Sequence, residues 1–177
     1  MANAIKKTEL EFISFSQAIT NTERRAYEKI QALFKENDFK YFGLFNRQRT
    51  KLTLLWIDAS ILNTIRNLGY AKLADQLQDH RGHVMITAYK LKRDEVESFY
   101  ATYSKRLIKA IEVSPTKGVL LAYLRDTGAH DAFMLAANAS EKLGLEMIEI
   151  VGQMSETLEN VLENYEIKER AYILDRP

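Results

Sequence analysis

The apolar residues divide the chain into stretches of different period. From Thr22 to Lys35, Ala26, Ile30, Leu33 and Phe34 recur at helical spacing, with Thr22 placed to cap the helix and Glu23 in its first turn. A shorter helix is expected just before it, around Leu10, Phe12 and Ile13. A third helix opens at Arg93: Asp94 and Glu95 sit at its start and Val96, Phe99, Tyr100, Tyr103, Leu107 and Ile111 line one face. Lys105, Arg106 and Lys109 lie towards its end, where cations complement the helix dipole. Pro115 stops that helix and suits the first turn of the next, over 116–125. Gly128 marks the break before a further helix from about Asp131 to Leu143.

Other segments read as strand. Residues 39–51 carry aromatic or apolar side chains on both phases of an alternating pattern, which predicts a buried strand or an apolar loop. KLTLLWI, from Lys51 to Ile57, is a short continuous apolar run of residues that suit a sheet. A helix is expected from Ala59 to His80, divided or bent at Gly69, and HVMITAYKL after Gly82 favours a strand. The expected class is therefore α+β and helix-dominated, with a small sheet at about 39–57 and 83–91 packed with five to seven helices.

The clearest periodicity lies near the C-terminus, where Met147, Val151, Met154, Leu158, Val161 and Tyr165 are spaced 4, 3, 4, 3, 4. Gly144 and Gly152 each cost a helix about 1 kcal/mol relative to alanine, so a strand at 145–151 before a helix capped at Ser155 is the alternative. The seam runs unbroken through Gly152 and favours one helix over 145–165. Glu146, Glu149, Glu156, Glu159, Glu163 and Glu166 flank it. A seam of this length is either one wall of the protein's own core or an association face.

Composition narrows the classes. A chain of 177 residues, 46% hydrophobic and 28% charged, suits one globular domain over 1–177, and only two prolines and seven glycines leave no evident linker. The absence of cysteine excludes disulfides, thiolate metal sites and a cysteine nucleophile, and fits a reducing, cytoplasmic setting. Thr8, Glu9 and Glu11 interrupt what a signal peptide would need as a continuous apolar stretch, and no later segment reaches membrane-spanning length. Charge is segregated: residues 1–140 carry 21 Lys/Arg against 15 Asp/Glu, a net of +6, and residues 141–177 carry 4 against 9, a net of −5.

Candidate chemistry is sparse. Phe39, Tyr41, Phe42 and Phe45 interleave with Lys40, Arg47, Arg49 and Lys51, the mix that stacks bases and neutralises phosphates. A partial helix-turn-helix pattern over 73–91 would place Arg81, Lys90, Lys92 and Arg93 on or after its second helix. It lacks the usual glycine at Gln78 and has Asp79 at an inward position. His80, His83 and Asp79 could hold a divalent metal, and Asp58 with Asp126 could form a nuclease-like acidic pair. His130-Asp131 resembles the central dipeptide of the HD phosphohydrolase family, a resemblance covering two residues, and the one later aspartate is Asp175. P-loop, GxGxxG, GxSxG and HExxH patterns are absent.

The functional expectation is a non-enzymatic protein that works by association, as a homo-oligomer or with a protein partner, through the acidic helix 145–166 and its face of Met147, Val151, Met154, Leu158, Val161 and Tyr165. The alternative is a nucleic-acid-binding protein using the eight cations named above. The second alternative is a metal-dependent phosphohydrolase or nuclease. No cofactor, membrane partner, catalytic residue or metal ligand set is assigned.

Overall fold

The computed structural model describes residues 7–39 and 47–168. Among them are seven helices: α1 (Phe12–Glu36), α2 (Arg47–Asn67), α3 (Ala71–Thr87), α4 (Arg93–Val113), α5 (Gly118–Asp126), α6 (Ala132–Asn138) and α7 (Glu141–Asn164). Two three-residue strands, β1 (Thr8–Leu10) and β2 (Tyr165–Ile167), pair in parallel with Thr8 opposite Tyr165. The protein is thus a helix-dominated α+β fold.

Among the described residues the sheet does not lie where the sequence suggested, and residues 40–46 of the expected segment lie outside them. Residues 47–57 belong to α2 and 83–87 close α3. The reason is burial: α2 packs against α1, α3, α4, α5 and α7, and eight consecutive residues, Leu55 to Leu62, are buried. A helix surrounded on all sides has no polar stripe, so a short window of it reads like a buried strand. The fully enclosed Trp56 sets its ring edge-on to Tyr103 of α4 and Tyr123 of α5, with centroids 5.8 and 5.4 Å apart. α5 repeats the pattern, with every residue from Gly118 to Leu124 buried.

The outer helices are amphipathic and turn one stripe inward. On α1 this stripe is Phe12, Phe15, Ile19, Glu23, Ala26, Ile30 and Leu33, so Thr22 lies inside the helix rather than at its cap. On α7 it is Leu143, Met147, Ile150, Met154, Leu158 and Leu162, rotated from the expected seam, and the helix is continuous through Gly152. α7 begins at Ser140, whose hydroxyl accepts from the Leu143 amide at 3.1 Å. Its last turn is tied down by Lys7 and Tyr70, which both donate to the Leu162 carbonyl, at 2.6 and 3.2 Å.

Two glycines allow a close backbone approach, Gly118 to the end of α4 and Gly144 to the turn before α5. A β-carbon on Gly118 would stand 2.5 Å from the Ile111 α-carbon, and one on Gly144 would stand 2.3 Å from the Thr116 carbonyl oxygen. Gly152 has nothing within 4 Å. Gly144→Ala should therefore destabilise the fold by about 1–3 kcal/mol through overpacking against backbone. Gly152→Ala should stabilise it by up to about 1 kcal/mol through helix propensity alone. Urea unfolding of the two variants checks both signs.

Candidate functional site

Two features of the folded chain stand out: a buried charged cluster where four helices meet, and an exposed apolar face at the opposite end of α4. The cluster is built on inward stripes. Arg81 occupies the stripe of α3 between Leu77 and Met85, and Glu23 occupies that of α1 between Ile19 and Ala26. Asp58 lies in the buried run of α2, and Tyr100 follows Val96 on α4.

Arg81 is the centre. Its Nε donates to Asp58 Oδ1, one terminal nitrogen to Glu23 Oε2 and the other to Thr20 Oγ1 at 3.2 Å. Tyr100 donates its hydroxyl to Asp58 Oδ2 at 2.5 Å. Asp58 is wholly buried and the Arg81 and Glu23 side chains are each 7% exposed, so both charges on Arg81's partners are removed from water. Both Asp58 oxygens have donors, whereas Glu23 Oε1 is buried with none among the described residues. Burial works against the Arg81 charge, but Asp58 and Glu23 outweigh it and hold the guanidinium above its ordinary pKa. For Glu23 burial wins: reinforced by Asp58 and opposed by Arg81, it pushes the carboxyl up to about 7. Burial, then Asp58, likewise raises Tyr100.

A smaller polar network sits between α4 and α5. Asp126, with a side chain 4% exposed, meets Arg106 at 3.3 Å and Arg125 at 3.2 Å. Asp58 and Asp126 therefore serve separate ion networks and do not combine into an acidic pair. His83, His130 and Asp131 are exposed, and His80 packs edge-on against Phe12 with centroids 6.0 Å apart. Among the described residues no group of three or more His, Asp or Glu is placed to hold a metal ion.

The cations of the nucleic-acid alternative differ in exposure and in what they contact. Arg81 leaves the set because it is buried and engaged. Lys40, with Tyr41, Phe42 and Phe45, lies outside the described residues. Phe39 tilts against Phe34 and packs on the core. Arg47 is exposed, Lys51 is half-buried, and Arg49 donates to the Gly128 carbonyl at 3.4 Å. Lys90 and Lys92 between α3 and α4 and Arg93 at the start of α4 are exposed, with Lys92 and Arg93 each 3.5 Å from a carboxylate, Glu95 and Glu97. The helix-turn-helix pattern fails at its turn, because residues 78–81 lie inside the unbroken α3.

The seam on α7 is an inward surface. Met147, Met154 and Leu158 are buried, Val151 and Val161 are half-buried against the core, and of the six only Tyr165 is exposed. The large apolar side chains left in water are elsewhere, among them Ile13 on α1 and Ile108 on α4. Val113 at the end of α4 is 55% exposed, Phe133 and Met134 on α6 are 59% and 56%, and Leu145 on α7 is 51%. Val113 and Phe133 line one groove of about 300 Å³, floored by Leu121, Ala136 and Ala137 and edged by Lys117 and Glu141. Leu145 lies one helical turn beyond Glu141 on the same face. Lys117 donates its Nζ to the carbonyls of Ala137 and Ala139, at 3.0 and 2.5 Å, and so fixes the end of α6 beside the groove.

Comparison with protein-family models, with curated proteins and with solved structures finds no match for the chain. No helix among the described residues is long and apolar enough to cross a membrane.

The buried cluster carries a mutational expectation. Arg81→Met leaves two buried carboxylates without their cation and should cost about 3–5 kcal/mol. Tyr100→Phe removes one hydrogen bond to Asp58 and should cost about 1–2 kcal/mol. Urea midpoints at neutral pH measure both, and a Tyr100→Phe variant less stable than Arg81→Met would reverse the assigned hierarchy.

Proposed function

We propose that this protein acts by association rather than by chemistry, pairing with a second copy of itself through the face formed by the end of α4, by α6 and by the start of α7. The observation that carries this reading is the groove lined by the half-exposed Val113 and Phe133, with exposed Met134 next to Phe133 on α6 and exposed Leu145 one turn beyond Glu141 on α7. Single exposed apolar residues are ordinary on a surface, but a cluster around a concave site marks a place where another surface fits.

A second copy is the occupant for a reason of charge. A two-fold contact pairs the same patch with itself, so each sign on its rim needs the other within the same patch. The groove is edged by Lys117 and Glu141, one of each sign, and Lys142 and Glu146 continue the mixture along α7. A rim of this kind favours self-pairing over a strongly basic or strongly acidic partner.

The energetics set the strength. Burying the exposed half of each of the four side chains contributes on the order of 1 kcal/mol apiece, or roughly 8 kcal/mol over two copies. Association costs about 4–15 kcal/mol in lost freedom. The anchored end of α6 keeps the ordering part of that cost small. A weak dimer results, populated at high protein concentration.

Sedimentation of the full chain over a concentration series reaching high micromolar tests this. The wild type should pass from monomer to dimer, and Phe133→Asp should stay monomeric with an unchanged urea midpoint, because the side chain is more than half exposed in the monomer. A wild type that remains monomeric throughout, or a Phe133→Asp variant that dimerises as well as the wild type, contradicts the proposal.

A further inference from the structure

Charge balance in the four-helix junction leads beyond association. The cluster holds one guanidinium and two carboxylates. Fully ionised, it would carry one uncompensated negative charge in a place that water does not reach, and such a charge is costly enough that the group takes up a proton instead. Which carboxyl takes it follows from the hydrogen bonds. Asp58 has a donor on each oxygen, Arg81 on one and Tyr100 on the other. Glu23 is served on Oε2, and its Oε1 is buried with no donor among the described residues.

We infer that Glu23 is a proton-operated latch: protonated, it closes α1 onto α3 through a neutral cluster, and losing its proton loosens that contact as pH rises. The surroundings support this from each element that meets it. α2 presents Asp58, α3 presents Arg81, α4 presents Tyr100, and the α3–α4 connection presents Tyr89, whose hydroxyl is also raised, by burial first and then by Glu23. On the other flank of α1, the groove against α7 is lined by Arg25 and Lys29 of α1 itself and by uncharged residues of α7. Among the described residues Arg81 is the cation that acts to hold Glu23 ionised.

The direction of the effect follows from linkage. A carboxyl with a folded pKa above its unfolded value binds its proton more tightly in the folded state. Its contribution is complete below the unfolded pKa of 4.5 and is lost as pH rises through about 7. Lower pH within that window therefore tightens the latch, opposite to the usual behaviour of a salt-bridged carboxylate.

Glu23→Gln holds the cluster in its neutral form at every pH. The ratio of the wild-type unfolding constant to that of Glu23→Gln should rise at least about tenfold between pH 4.5 and 8 and level off above neutrality. A flat or falling ratio overturns the inference. Should Glu23→Gln fail to fold, carbon-13 NMR of the wild-type glutamate carboxyls decides independently. One carboxyl titrating near neutrality supports the latch, and all of them titrating in the ordinary acidic range overturns it.

Discussion

One guanidinium organises the helical core. Arg81 reaches α1 through Thr20 and Glu23 and α2 through Asp58, and Asp58 in turn receives Tyr100 of α4. An apolar side chain on the α3 stripe could fill the same space, but it would not fix which helices meet or in what rotation. A planar donor with a fixed fork matches carboxylates in a few geometries only. The ion pairs contribute less to net stability than their number suggests, because desolvation offsets most of the attraction. Their role in this fold is register: α1, α2, α3 and α4 meet at one defined level. The apolar packing of Trp56, Tyr103 and Tyr123 extends from there into α5.

The same cluster explains why association belongs at the other end of α4. Around the junction Arg81 and Asp58 are committed to each other and to Thr20, Glu23 and Tyr100, and the seam of α7 is spent on the core. Beyond Val113, α6 is only seven residues long, and two of its side chains, Phe133 and Met134, are left more than half exposed. α5, enclosed on all sides, brings α4, α6 and α7 together there. Phe133 and Met134 are thus left uncovered by an element too short to bury both of its faces, while other exposed apolar side chains, Ile13 and Ile108, stand on the long helices α1 and α4.

Much of the fold was legible from the sequence and the remainder was hidden by burial. α4 could be read because it shows water one polar face, and Pro115 and Gly128 bracketed α5. α2 could not, since Leu55 to Leu62 are buried in succession and leave no period to detect. β1 and β2 are three residues each and lie at opposite ends of the described chain, too short for an alternating pattern to register. The α7 seam had the right element and shared Met147, Met154 and Leu158 with the true stripe, but its register drifted because Val151 and Val161 flank the buried line. The cluster did leave a signal: Ile19, Glu23, Ala26 and Leu77, Arg81, Met85 each place a charge on an apolar helical stripe. Reading Arg81 as a phosphate contact overlooked its two apolar neighbours one turn away on either side.

Arg81 and Asp58 act as one buried unit, and a double-mutant cycle of Arg81→Met and Asp58→Asn in urea unfolding at neutral pH measures that directly. The two substitutions together should cost less than the sum of each alone by about 2 kcal/mol or more, since Asp58→Asn removes the charge that Arg81→Met leaves unpaired at that position, while the loss of Arg81 from Glu23 is common to the single and the double variant. Costs that simply add would contradict it.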